Sequence, residues 1–572
     1  SAGYEKLEVI RGANGLLTGV GNASGTINFV RKRPTNDTRG QLQATAGSWE
    51  GRRIEADYST PLTASGSWAV RGVAAWDDRD SWVRGLANDR LYLYGVVDGQ
   101  LTDRTTLTVG YSFQDADTRG NMWGGLSFDQ NDGTQAEFDR DASTTTDWTF
   151  WNTRNQTAFL ELGHALNERW TLKGSYNYRE SSESDQLFYA YTVDGLDPDT
   201  GLGLIGWPGK YAGATHSHLG DLTLSGSFDA FGRVHQAMMG YSQANSRNDL
   251  DSAPMLNGPG DPDPFAPLPA FPYDGSVVPE PIWGDFGDYS HYGQWQRRLY
   301  GATRLQLTDR LKGVAGFNLV RFHRQGVNDS GIWYEQTEKE LSPYAGLTFD
   351  ITDRLLVYGS YSDIYQPQDQ YDIDGFYLEP SKGVNVELGT KADWFDGRLL
   401  TSAAWFSAKQ KGLATLAGVT GAGQYYYEGV DVDADGIELE ATGRIGEHTQ
   451  LVLGFTSLKL EDADGARIYE WVPRKTFNLA LSTALAPLPQ LRFGATARWQ
   501  DDASKPATYT LQDIRQEAYL VASVFGEWKV TPQFGVRANV NNVTNEKYIS
   551  SLYEIGYYGA PRNWSVSLDW RF

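Results

Sequence analysis

Cysteine is absent from the 572 residues, which excludes disulfide staples and thiolate metal sites. No run of eighteen apolar residues occurs, so no transmembrane helix is encoded. Cationic charge is also scarce: 50 Lys and Arg stand against 72 Asp and Glu, a net charge of -22. Nucleic acid is thereby excluded as a partner, because phosphate binding needs a basic surface. The seven His are scattered, and the one close pair, His216 and His218, offers two ligands where a site needs more. A Gly-x-Ser-x-Gly elbow and its strand-turn-helix context are missing, and the chain is not expected to be an enzyme. Asp431, Asp433, Asp435 and Gly436 imitate the start of a calcium loop, but Thr442 holds the position that needs a bidentate Glu. Gly19, Gly21 and Gly25 are wrongly spaced for a dinucleotide fingerprint. No resident metal or cofactor is expected.

What is abundant is glycine and aromatic residues, with 63 Gly, 32 Tyr and 19 Trp, arranged at a period of two. In Arg562–Phe572, Trp564, Val566, Leu568, Trp570 and Phe572 fall on one face of an extended strand, and Ser565, Ser567, Asp569 and Arg571 on the other. Its length suits a tilted bilayer crossing, with aromatics at both ends where head groups lie. The same alternation runs through Leu42, Ala44 and Ala46, through Ile54, Ala56 and Tyr58, and through Leu107, Val109, Tyr111 and Phe113. It returns in Trp170, Leu172, Tyr176 and Tyr178 and in Leu491, Phe493, Ala495, Ala497 and Trp499.

Connections alternate between short turns, such as Leu307–Arg310 and Trp394–Arg398, and long polar insertions. The insertions fall at 114–154, 179–217, 245–293, 321–340, 362–383 and 409–434. Turns at one end and loops at the other is the threading of a transmembrane antiparallel β-barrel of about 22 strands, its long loops facing outward. The pair of strands between 294 and 320 is the least regular. The closing strand is expected to pair with Gln41–Gly47. A barrel this wide cannot fill its lumen with its own side chains. Residues 1–40, broken by glycines and holding a basic cluster, Arg31, Lys32 and Arg33, that ends at Pro34, do not read as membrane strands. They read as the end of an N-terminal plug domain, too short to fill the lumen, and residues 41–572 as the barrel. Since Ser1 belongs to neither an initiator nor a signal peptide, the chain reads as a fragment.

Several segments resemble TonB-dependent ferric-siderophore receptors, across essentially the whole chain. Leu7–Pro34 is similar to the end of that family's plug, although Ala13 replaces the usual Pro and Thr18 a common Tyr. In the barrel, Pro343–Gly346 (PYAG), Tyr358–Gln368 (YGSYSDIYQPQ), Glu387–Lys391 (ELGTK), Gly436–Glu440 (GIELE), Asn541–Tyr548 (NNVTNEKY) and Tyr558–Arg562 (YGAPR) carry the resemblance. The YQPQ segment looks most like receptors for ferric pyoverdine, coprogen and other hydroxamate siderophores. The resemblance implies an outer-membrane receptor that imports its ferric siderophore through a TonB energy-transducing complex, which acts on an N-terminal segment. Nanomolar capture is worth about 12 kcal/mol, and the same affinity resists release inward, so outside work is required. A passive porin-like channel, or a receptor for haem, cobalamin or another chelate, is the alternative. Iron would travel as the chelate rather than as a cofactor.

A coordinatively saturated, polar chelate calls for aromatic walls and a few donors rather than metal ligands. Trp123, Tyr189, Trp207 and Tyr211 in the third and fourth outer loops, and Tyr553 in the last, are the candidate ligand-binding residues. Around such a barrel, outer-membrane lipid and lipopolysaccharide are the expected surroundings, and a monomer is the expected state. The acidity fits solvated loops or divalent-cation bridging to an anionic outer leaflet.

Overall fold

A computed structural model of the chain describes residues 2–11, 25–256, 267–329, 331–419, 425–506, 513–552 and 556–572. The alternating segments become a single antiparallel sheet that closes on itself as a 22-stranded barrel. Among the described residues no helix is long and apolar enough to cross a membrane. The irregular region at 294–320 is two full barrel strands, Gly287–Gln306 and Leu311–Val327.

Closure joins the two ends of the chain. Asn563–Arg571 lies against Arg39–Gly47, with Arg571 opposite Gln41 and Ser565 opposite Gly47. The seam continues to the last residue: the Gly40 amide donates to the Phe572 carbonyl at 2.7 Å, and the Phe572 amide returns a bond to Gly40 at 3.0 Å. Thr45 and Ser567 hydroxyls meet across it at 2.9 Å. The Phe572 ring stacks on Tyr58, 6.4 Å away, and tilts against Trp570 at 4.8 Å. Outward faces expose Leu42, Ile54, Tyr58, Val109, Tyr111, Tyr176, Tyr241, Leu319 and Leu568. On a soluble protein so much exposed apolar surface would be a liability, but wrapped around a closed barrel it is a lipid-facing band.

The outer connections differ from expectation in an instructive way. Much of the polar sequence expected to loop is strand. Trp170–Thr192 and Leu204–Ala230 stay paired from Trp170 opposite Gly226 up to Thr192 opposite Leu204, leaving only 193–203 as the connection. Likewise, strands reach Ser252, Val327 and Val419 before turning back at Gly287, Trp333 and Tyr425. Above the bilayer neither face has to be apolar, so alternation fades while the hydrogen-bond ladder continues. In their described residues, the segments between Arg119 and Phe150, between Ser252 and Gly287 and between Gln366 and Ser381 remain largely free of strand. The ordinary apolar core of the molecule sits at this end, where Leu126 and Phe128 from the connection after Arg119 are buried with Phe188 and Leu204 of the long hairpin, Phe271 and Tyr558.

A separate hairpin, Tyr4–Arg11 paired with Gly25–Arg31, lies inside the barrel. The basic run that follows it fastens it to the wall. Lys32 Nζ reaches Asp57 at 2.8 Å and Glu55 at 3.6 Å, and Arg33 reaches Asp98 at 3.2 Å and also Glu161. Arg31 lies 4.1 Å over the Phe159 ring and donates to Asn177 at 3.0 Å. Asp57 also accepts two bonds from Arg71, so one wall carboxylate holds two cations.

A side chain at Gly40 would meet the Phe572 ring at 2.2 Å. Gly40→Ala is therefore expected to displace the terminal ring and weaken closure by about 1–3 kcal/mol, the usual cost of overpacking. The temperature at which the unboiled barrel band shifts on a gel should fall; an unchanged temperature would show that the seam does not need this ring.

Candidate functional site

The paired strands Trp170–Thr192 and Leu204–Ala230 form a long hairpin whose first ten or so residues suffice to cross a bilayer. Beyond Tyr178 the hairpin rises clear of it. Its face is fixed by alternation: Asn177, bonded to Arg31 of the inner hairpin, points into the lumen, and so do the odd-numbered residues that follow. Phe188 and Ala190, on the other face, are covered by the loop core.

That alternation gathers the expected aromatics. Tyr189 lies directly opposite Trp207, and Asp185 opposite Tyr211, all on the lumenal face. Trp123, carried in by the connection after Arg119, packs edge-on against Tyr189 at 6.3 Å and Tyr211 at 5.9 Å. Glycine at 209 makes the approach possible, since a Cβ there would sit 3.0 Å from the Trp123 ring. Tyr191 stacks on Tyr189 at 5.7 Å, and Tyr289 meets Tyr211 at 5.5 Å. Four of the five residues singled out in the sequence thus share one wall. Tyr553 lies outside the described residues.

A second group continues the wall, and sequence reasoning missed its centre. Arg324, 7% exposed, faces inward from Leu311–Val327. It donates to the Gln368 carbonyl at 3.2 Å, pairs with Asp369, and lies 5.3 Å over the Tyr377 ring. Tyr377 in turn packs against Tyr334 at 4.4 Å and Tyr371 at 5.9 Å. Tyr371 donates to Asp329 at 2.7 Å. The signal for Arg324 was the alternation of its own strand, which the polar composition of the segment concealed. Gln368, the last residue of YQPQ, is a brace: its amide nitrogen donates to Glu379 and Gly412 carbonyls at 2.7 and 2.8 Å, and its oxygen accepts from the Ala414 amide at 2.7 Å.

Two groups on the first wall are electrostatically marked. Burial, and then the neighbouring charge of Glu183, push the Asp185 carboxyl up to about 7. Burial, then Tyr289, Asp185 and Asp329, push the Tyr211 hydroxyl up to about 12. Tyr211 is consequently a neutral donor at any physiological pH. The arrangement offers ring faces and a hydroxyl donor to a bulky, oxygen-rich ligand, with the buried Arg324 guanidinium holding Tyr377 and Gln368 in place behind them.

The other motifs resolve as structure. His216 and His218 share a face, as strand periodicity requires, and their Nδ1 atoms meet the hydroxyls of Tyr178 at 3.2 Å and Tyr176 at 2.7 Å. Asp431, Asp433 and Asp435 lie in the strand Tyr425–Ile445, and Asp433 pairs with Lys409 at 2.7 Å, so the extended backbone forms no calcium loop. Among the described residues, one group could converge on a metal: Asp251, Asp288 and His291, with His291 Nδ1 3.2 Å from Asp249. Of the three glycines, Gly19 and Gly21 lie outside the described residues.

The family described as TonB dependent receptor-like, beta-barrel, matches residues 98–543. The chain belongs to the TonB-dependent receptor family. A ferripyoverdine receptor of Pseudomonas aeruginosa is 31% identical over 587 residues, spanning 100% of this chain and 70% of its own length. A ferric-pyoverdine 358 receptor of Pseudomonas putida is 30% identical over 594 residues, with the same coverage. In three dimensions the chain is similar to the ferripyoverdine receptor of the outer membrane of Pseudomonas aeruginosa bound to ferripyoverdine, with a TM-score of 0.91 at 30% identity. That match covers 100% of this chain and 78% of the other. A TonB-dependent receptor barrel is a bacterial outer-membrane protein, which accounts for the apolar band around this one.

The Asp185 shift has a definite sign. A carboxyl whose folded value of about 7 exceeds its ordinary 3.8 stabilises the fold below about pH 4, and that stability is lost as pH rises through 7. Hydrogen-exchange protection of the upper long hairpin, corrected for intrinsic rates, should fall over this range, and Asp185→Asn should abolish the fall. Equal slopes in both proteins would refute the assignment.

Proposed function

We propose that this TonB-dependent receptor captures a ferric siderophore of the pyoverdine or hydroxamate type at the outer face and imports it by TonB-coupled transport. The observation that carries this reading is the lumenal wall above the inner hairpin. There Trp123, Tyr189, Trp207 and Tyr211 adjoin the buried Arg324 group, in a chain similar to receptors whose cargo is ferripyoverdine. Such a wall suits a chelate whose iron is already saturated, because ring faces and hydroxyls recognise its periphery. The long-loop end of the barrel faces outside, where the chelate arrives, and Tyr553, outside the described residues, is kept as a proposed contact on its sequence position alone. Iron passes as cargo, with no resident cofactor, and the protein acts as a receptor rather than an enzyme.

On this reading residues 1–40 are the end of the plug domain and 41–572 the barrel. The ion pairs of Lys32 and Arg33 with the wall support that division, since they are contacts a movable plug has to release. Lumenal contacts of this kind also favour a gated receptor over an open porin. The barrel works as a monomer, surrounded by outer-membrane lipid and lipopolysaccharide.

Titration with a panel of ferric siderophores, followed by tryptophan fluorescence, tests the proposal. Saturable quenching is expected for a pyoverdine or hydroxamate chelate. Trp123→Ala or Tyr211→Ala should each weaken it by about tenfold, the usual cost of truncating an aromatic anchor. A receptor that responds to no ferric siderophore, or variants that bind as tightly as the wild type, would overturn it.

A further inference from the structure

The strand that carries Arg324 into the lumen presents different cations to the lipid. Arg297, Arg321 and Lys339 occupy three neighbouring strands, with Arg297 directly opposite Arg321 and Arg321 directly opposite Lys339. All three are exposed and point outward, in phase with the lipid-facing Leu319 and Leu341 two positions along each strand. None forms an ion pair with a described residue. Like charges set directly opposite one another repel across a sheet, so an uncompensated row of three works against the barrel in isolation. Its place argues for what compensates it. The next outward row toward the short turns is Tyr241, Leu299, Leu319 and Leu341, all apolar, and Arg321 stands about ten residues beyond the turn, the length that crosses a bilayer. The cations therefore stand where the apolar band ends, on the long-loop side. Immediately above them, the Trp295 ring stacks on His323 at 5.2 Å, with Arg297 4.7 Å and Arg321 5.4 Å over its face. One indole holds both guanidinium groups in place, spread in the plane of the interface.

We infer that Arg297, Arg321 and Lys339 form a docking site for the phosphorylated sugar head group of lipid A, the membrane anchor of lipopolysaccharide, in the outer leaflet. The inference rests on the orientation proposed above, with the long loops outside. A phosphate supplies the dianion that three converging cations lack, guanidinium groups grip it through paired N–H donors, and the acyl chains lie along the leucine row below.

The test uses the full receptor in nanodiscs and native mass spectrometry of bound lipid, with three probes: bisphosphorylated lipid A, its dephosphorylated form, and phosphatidylglycerol. Wild-type receptor should retain bisphosphorylated lipid A in preference to both others. The triple variant Arg297→Gln, Arg321→Gln, Lys339→Gln should lose about a hundredfold in affinity, at roughly fivefold per cation near an anionic surface. A charge-preserving variant, Arg297→Lys with Arg321→Lys, should keep most of the binding. Thermal unfolding supplies a sign that a merely structural role would not give. In uncharged detergent the glutamine variant should unfold at a higher temperature than wild type, because repulsion is relieved, and in lipid A discs at a lower one. Equal retention of lipid A by the triple variant would overturn the inference, as would equal binding of phosphatidylglycerol or of dephosphorylated lipid A by the wild type. Ferric-siderophore titration of the same variants, expected to match wild type, separates failure of this site from failure of the proposed function.

Discussion

Everything in this structure follows from the backbone hydrogen bond in lipid. A strand inside a bilayer has no water to satisfy its amides and carbonyls, so each must find a partner on the next strand, and the last must find the first. The bonds between Phe572 and Gly40 meet that demand at the seam. Closure then fixes the rest. Twenty-two strands set a circumference, the circumference sets a lumen wider than side chains can span, and the lumen requires an occupant. The inner hairpin and its basic run are such an occupant, and their attachment is ionic rather than apolar. Asp57 sits between Lys32 and Arg71, and Glu161 and Asp98 take Arg33. Polar contacts of this kind exchange for water at modest net cost, whereas an apolar interface of the same size would lock.

How much of this was legible in the sequence depended on where lipid imposed its rule. Within the bilayer one face must be apolar and the other not, and there the period of two placed Leu42, Tyr111, Tyr176 and Trp570 correctly, along with the partner of the closing strand. Above the bilayer the same backbone ladder persists without that constraint. Residues 179–217 looked like loop although 179–192 and 204–217 are paired strand. The composition was that of a loop because water touches both sides; the geometry was that of a sheet because hydrogen bonding does not depend on side chains.

The candidate wall shows the same limit from another side. Trp123, Tyr189, Trp207 and Tyr211 were chosen as loop aromatics with nothing in their spacing to unite them, and it is the regular register of the long hairpin that brings three of them to one face. Trp123 joins from a connection without strand, through a contact that depends on glycine at 209. No periodicity could have announced that. Arg31, Lys32 and Arg33 were visible only as a basic cluster, because their partners are scattered over four wall strands, more than a hundred positions away in the case of Glu161.

Arg321 and Arg324 show how sharply the fold divides one residue type. They lie three positions apart on one strand, so alternation sends them to opposite sides of a single layer of backbone. Arg324 is buried, bonded to Gln368 and Asp369, and lies over Tyr377; its charge is consumed within the protein and shapes the lumenal wall. Arg321 is exposed, faces Arg297 and Lys339, and can be neutralised only from outside. On the proposed function and the lipid site inferred above, a barrel wall one strand thick would carry cargo recognition and membrane anchorage on its two surfaces, within ten ångströms or so of each other by strand rise alone. Since the two sides share every backbone hydrogen bond of that strand, a lipid that held Arg321 would also hold Arg324 in register, and rigidity at the rim would become a property of the protein and its leaflet together.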